Sequence, residues 1–93
     1  MTFSVLARDS ETGAIGGAAA TGSLCVGGWV LRGNLKAGMS ASQGAAPSTL
    51  WGEDILAAMQ SGLTAAEAVK TVTSADRGRA HRQLAAVDLS GNA

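Results

Sequence analysis

Aromatic side chains are scarce in this 93-residue chain: Phe3, Trp29 and Trp51 are the whole set, and tyrosine is absent. The apolar content therefore rests on Ala, Val and Leu, interrupted by thirteen glycines. A domain of this length buries about two-thirds of the surface its unfolded chain exposes. With so little bulk to bury, the composition calls for a partner chain or a further segment. A lone cysteine, Cys25, excludes an internal disulfide and suits a reducing compartment. A lone histidine, His81, with no cluster of His, Cys and carboxylates at ligand spacing, indicates neither a Ser-His-Asp set nor a metal site. Seven basic and seven acidic residues give zero formal net charge, so no basic footprint for nucleic acid is present. There is no run of about 18 apolar residues and no basic-then-apolar leader, so neither a transmembrane helix nor a signal peptide is expected. A cytoplasmic protein with no membrane and no nucleic-acid partner is expected.

What is present begins with a hairpin. Thr2-Phe3-Ser4-Val5-Leu6-Ala7 alternates as a strand, Asp9-Ser10-Glu11-Thr12-Gly13 is a turn, and residues 14–20 return as a second strand. Residues 21–32 are apolar but cut by glycines, which suggests a covered loop followed by a short strand, with Gly33-Asn34 as a turn. Residues 36–43 suit a third strand, ended by Ala46-Pro47. Ser48 is positioned as an N-cap, and Leu50, Trp51, Asp54, Ile55, Ala58 and Met59 follow at helical spacing until Gly62. Thr64-Ala65-Ala66-Glu67 matches a capping box, so a second helix is expected from about Ala65 to Thr73. Asp76-Arg77-Gly78-Arg79 is expected as a solvated turn, residues 83–89 as the last strand, and Ser90-Gly91-Asn92 as a turn. A turn of this type leads into a hairpin partner, and an unpaired edge is what soluble proteins avoid. A second polypeptide beginning beyond Ala93 is therefore expected to complete the sheet.

A strand that opens on Thr carries a particular chemistry once the initiator Met1 is removed. One residue then supplies a nucleophile, its hydroxyl, and a base, its own α-amine. The reference pKa of an α-amine, about 7.7–8.0, leaves a useful unprotonated fraction near neutrality. Other residues lend themselves less to chemistry. Cys25, between Leu24 and Val26 with no cationic neighbour in sequence, reads as a small buried residue. Gly13, Gly16 and Gly17 do not make Gly-x-Gly-x-x-Gly and open no helix, which argues against a dinucleotide site. Trp29 and Trp51 read as core, and either could also wall a substrate pocket.

Residues 1–9, Glu11-Thr12-Gly13, Lys36-Ala37-Gly38, Ser42-Gln43, Trp51-Gly52, residues 62–68 and Arg82-Gln83-Leu84 to Val87-Asp88 form an ordered series. The series resembles the amino-terminal half of the domain-of-unknown-function family 1028, whose members look like N-terminal-nucleophile (Ntn) hydrolases. The resemblance spans nearly all of this chain and about half of a family domain, and it lies in the order of motifs that are individually weak. It implies an α+β fold: half of an αββα sandwich of antiparallel strands with two short helices, a single partial domain over residues 1–93, completed by a second chain. It implies an amide-bond hydrolase without metal or organic cofactor, acting on a small amide substrate and assembling into a higher oligomer.

Carried over position by position, Thr2 falls at the superfamily's nucleophile. Lys36 falls where its threonine hydrolases keep a lysine near that nucleophile, although the present family more usually has Arg there. A cation at that point would favour the unprotonated amine and steady a developing oxyanion. Thr21 and Ser23 are candidates for orienting hydrogen bonds, and Ser42 and Gln43 for lining the pocket. A second version, preferred to Thr2 on the sequence, places the nucleophile at the first residue of the partner chain, released from a self-cleaved precursor of which this chain is the amino-terminal part. The competing expectations are a non-catalytic structural or assembly protein with the same fold, and a fragment whose boundary has no biological meaning.

Overall fold

The computed structural model describes all 93 residues. Its first hairpin joins β1 (Thr2–Arg8) to β2 (Ile15–Thr21), antiparallel, with Thr2 opposite Thr21 and Arg8 opposite Ile15. The turn is made by Asp9. Its carboxylate accepts from the Glu11 N–H and the Thr12 hydroxyl, and its carbonyl accepts from the Gly13 N–H. Those donors, the Glu11 amide first, hold the Asp9 carboxyl below its ordinary pKa.

Past β2 the structure corrects the sequence reading. Residues 22–25 are exposed rather than covered, with Leu24 90% accessible and Cys25 on the surface at φ +57°. A single helical turn, α1 (Gly27–Val30), then leads into β3 (Leu31–Asn34). Glycines at 22, 27 and 28 offer no side chains to draw a cover over this backbone. The next turn also falls later than expected. Asn34 ends β3, and its side-chain oxygen and carbonyl accept from the Lys36 and Ala37 N–H groups. Lys36 therefore lies in the turn itself, and β4 runs from Gly38 to Gly44.

The second sheet has the order β3-β4-β5, all antiparallel, with β5 (Arg82–Asp88) on an edge. Its ladder to β4 is bracketed by glycines. A Cβ at Gly38 would stand 2.1 Å from the Val87 carbonyl oxygen and one at Gly44 2.6 Å from that of His81, so each end of β4 requires a residue without a side chain. Helices α2 (Trp51–Gln60) and α3 (Ala65–Ser74) cover one face of this sheet, and the β1–β2 hairpin covers the other. The layers are thus hairpin, sheet and helices.

Local chemistry explains both helices. The Ser48 hydroxyl accepts from the Leu50 and Trp51 N–H groups at 3.3 Å, and Thr64 and Glu67 close the expected capping box. Ile55, Leu56 and Met59 of α2 meet Ala65 and Ala68 of α3 over Ala37 of the β3–β4 turn and Ala86 of β5. Each large side chain buried there contributes about 1.5–3 kcal/mol. Trp51 is buried as expected; Trp29 is 55% exposed and is not core.

Period-two alternation continues through β1. Thr2, Ser4, Leu6 and Arg8 face the sheet, whereas Phe3 and Val5 stand 68% and 60% exposed on the outer face, opposite the exposed Ala20 and Ala18. The outer side of the hairpin is consequently apolar and uncovered.

Asp88, 7% exposed, ties the helix layer to the turn that follows β5. Its carboxylate accepts from the Ala65 N–H in the first turn of α3, from the Ser90 and Asn92 N–H groups and from the Asn92 side chain. Burial pushes the carboxyl up, but these donors, the Asn92 amide foremost, outweigh burial and hold it below the ordinary 3.8. A carboxylate with a depressed folded pKa stabilises fully above the unfolded value and loses that contribution as pH falls through the folded one. Asp88→Ala is therefore expected to cost about 2–3 kcal/mol at neutral pH, since hydrogen bonds to a buried charged group are lost. In urea titrations from pH 7 down to pH 2, the gap between wild type and variant should close below about pH 4.

Candidate functional site

The two layers meet at a set of polar side chains around Thr2. Its hydroxyl donates to the Thr21 hydroxyl oxygen at 2.9 Å, the pairing that the β1–β2 register dictates. Thr21 Oγ1 also accepts from the Ser23 N–H at 3.1 Å. From the sheet below, the Gln43 side-chain N–H donates to the Thr2 carbonyl at 2.6 Å, while its oxygen accepts from the Ser4 hydroxyl at 2.8 Å. Gln43 is 6% exposed, and both ends of its amide are satisfied. The Thr2 hydroxyl is thus oriented by one strand and its carbonyl by another. The Met1 carbonyl, the acyl group preceding Thr2, accepts from the Gly22 N–H at 3.4 Å.

Two open clefts meet at this point. One, of about 310 Å³, has Thr2, Thr21, Ser23 and Gln43 on its polar side and Val26, Trp29, Val30 and Pro47 on its apolar side. The other, of about 580 Å³, shares Thr2, Ser23 and Gln43 and is completed by His81, Arg82 and Gln83.

Of the residues expected at the site, Thr2, Thr21, Ser23, Ser42 and Gln43 all line the first cleft. Ser42 is held toward the helix side, its hydroxyl donating to the Ser48 carbonyl at 3.4 Å, so it forms the cleft's base more than its reactive surface. Lys36 is not brought there. It sits in the turn before Gly38, whereas Gln43 and Gly44, which adjoin Thr2, are at the opposite end of β4. Six strand rises separate those ends by about 20 Å, too far for a contact with the nucleophile position.

The cation at the Thr2 end is instead Arg82. Its guanidinium bonds Asp76 and the Ala46 carbonyl and lies over the Trp51 ring at 5.8 Å. This corrects the reading of Asp76 to Arg79 as merely solvated. The Gly78 N–H, and after it Arg82, hold the Asp76 carboxyl below its ordinary pKa despite an opposing contribution from desolvation. Trp29 lines the cleft, the alternative its sequence reading allows, while nothing in the sequence marks Gly22, His81 and Arg82 as neighbours of Thr2. Arg82 and His81 stand some eighty positions away, and only the β4–β5 register brings them back to Gly44. No three His, Cys, Asp or Glu side chains converge anywhere in the structure, and no helix is long and apolar enough to cross a membrane.

A hairpin and a three-stranded antiparallel sheet backed by helices define a small α+β protein. Comparison with known proteins then specifies the family. The model of a family of unknown function, DUF1028, matches residues 2–93, and the chain belongs to that family. It is also similar to a Silicibacter pomeroyi protein of the same family known from its crystal structure, at 72% identity and a TM-score of 0.94 over 98% of this chain. The match takes in 42% of that protein's length, so this chain spans less than half of its relative. No curated protein matches.

Replacing Gln43 by Leu keeps the volume but strands the Ser4 hydroxyl and the Thr2 carbonyl. A loss of about 1–3 kcal/mol is expected in chemical unfolding, with faster amide exchange along β1. Lys36→Ala, at an exposed turn, should stay within about 0.5 kcal/mol of wild type.

Proposed function

We propose that the protein is an amide-bond hydrolase of the N-terminal-nucleophile type, with Thr2 as nucleophile once Met1 has been excised. The observation that carries this reading is the clamping of Thr2 where two clefts meet: hydroxyl on Thr21, carbonyl on Gln43. In the reaction, Thr2 Oγ1 attacks the substrate carbonyl carbon and its proton passes to the α-amine. The oxyanion of the tetrahedral intermediate is met by the Gly22 N–H, a donor that the departing Met1 carbonyl leaves free. The protonated amine gives its proton to the leaving nitrogen, the C–N bond breaks, and an acyl ester remains on Thr2. Water, deprotonated by the same amine, attacks the ester, releases the acid and restores the hydroxyl. Each step uses groups on this chain, substrate and water.

The fold that goes with this chemistry has helices over both sheets. The bare apolar outer face of the hairpin, with Phe3 and Val5, supports a further helical layer, and the relative's greater length supports the polypeptide to build it. The unpaired edge of β5 supports a strand added beside it. These two features also favour a second version, in which the nucleophile opens a partner polypeptide released from a common precursor and this chain supplies the scaffold. Against both stands a non-catalytic assembly role, which needs no free amino-terminal nucleophile.

Intact mass with amino-terminal sequencing separates the three. A chain beginning at Thr2, with Thr2→Ala reducing amide turnover by about 10³-fold or more, is the expected result. Retained Met1 together with a second polypeptide opening on Thr, Ser or Cys would transfer the nucleophile to that polypeptide. Retained Met1 with no such polypeptide would remove the hydrolase reading.

A further inference from the structure

The end of the molecule opposite Thr2 holds a cation and an apolar groove that nothing in the chain answers. Arg8 closes β1 on the side turned toward the sheet. Its Nε is buried and meets no hydrogen-bond acceptor, and its guanidinium belongs to neither ion pair of the protein, Arg32–Glu53 or Arg82–Asp76. The side chain runs between two turns: a Cβ at Gly91 would stand 3.4 Å from its Cδ and one at Gly13 4.0 Å from its Nη2. The carboxylates of those turns are already taken. Asp9 accepts from Glu11 and Thr12, and Asp88 from Ala65, Ser90 and Asn92. A guanidinium drawn out of water without a partner is costly, and a carboxylate is the group that best matches its fork.

Between the same hairpin turn and the β3–β4 turn lies a groove of about 470 Å³, walled by Ile15, Leu35, Met39 and Leu89 and free of ionisable side chains. It adjoins Arg8: Gly13 belongs to both places, and Ile15 is the partner of Arg8 across the β1–β2 ladder. Leu35, 97% exposed, and Leu89, 45% exposed, give the groove an apolar rim open to water.

We propose that this end docks a segment of further polypeptide, in which a large apolar residue fills the groove and a neighbouring Asp or Glu pairs with Arg8. Charge complementarity selects an acidic segment, and the relative, of which this chain spans 42%, has the additional polypeptide to which such a segment would belong. A small free carboxylate would leave Leu35 and Leu89 uncovered. A second copy docked through the same end would set Arg8 against Arg8. The inference rests on the presence of further polypeptide and not on the hydrolase reading, since the groove and Thr2 lie at opposite ends of β4.

Photocrosslinking from position 35 tests it: Leu35 is replaced by p-benzoylphenylalanine in the full-length protein as purified, and the crosslinked peptides are identified by mass spectrometry. The expected product joins position 35 to a segment outside residues 1–93 with an Asp or Glu beside the crosslink. Arg8→Met should then lower the thermal midpoint of the full-length protein, because a paired charge is lost, whereas an unpaired guanidinium would make the same substitution stabilising. Arg8→Glu should lower it further, and exchanging the acidic partner for Arg should recover most of that loss. A crosslink confined to residues 1–93 or to a second copy, a segment without an acidic residue, or a midpoint raised by Arg8→Met overturns the proposal. So does a midpoint that acetate raises at constant ionic strength in wild type but not in Arg8→Met, which would assign Arg8 to a free anion. Thr2→Ala should leave the crosslink in place, so loss of turnover and loss of docking are read separately.

Discussion

The amide of Gln43 locks the hairpin to the sheet. Strand β4 is buried on both faces yet carries no large aliphatic residue beyond Met39. A strand of Ser, Ala and Gln gains little from burial, and each polar atom in it must find a definite partner. Ser40 finds the Gly52 carbonyl and Ser42 the Ser48 carbonyl, which fixes the start of α2 against the sheet. Gln43, on the opposite face, finds Ser4 and Thr2. An apolar contact would hold the layers together in many relative positions, whereas these bonds hold them in one. The placement of Thr2 between its clefts is the result.

Much of this architecture is written locally in the chain. The Asp9 turn, the Thr64–Glu67 capping box and the alternation of β1 depend on neighbours within a few positions, and all three form as their residue types require. Thr2, Thr21, Ser23 and Gln43 come together in space, the first two through the β1–β2 register and the others around the same cleft. Lys36 failed for a geometric reason. A strand entering at one end of β4 and a nucleophile at the other are close in a motif written along a line, and a strand length apart in space. Trp29, which lines the smaller cleft instead of the core, and Cys25 stay exposed because hydrophobic type predicts burial only where other side chains exist to do the burying, and the glycines around them supply none.

Arg82 shows the converse. As a charged residue near a run of charges it carried no local signal, yet its position opposite Gly44 makes it the junction of the β4–α2 loop, the segment before β5 and the Trp51 ring. One side chain thereby ties three separate segments together beside the larger cleft. The same residue braces the loop bearing Pro47, so the apolar cleft and the polar one share a support.

The Gly38 and Gly44 contacts have a kinetic side. The hairpin and the two helices close over short stretches of chain, whereas the β4–β5 ladder joins segments separated by everything from the β4–α2 loop to the turn before β5. Closing so long a loop loses chain entropy before any ladder bond repays it. That ladder and the docking of the hairpin onto Gln43 are the non-local pairings this chain has to close, and at both ends of the ladder a glycine is what lets the strands approach.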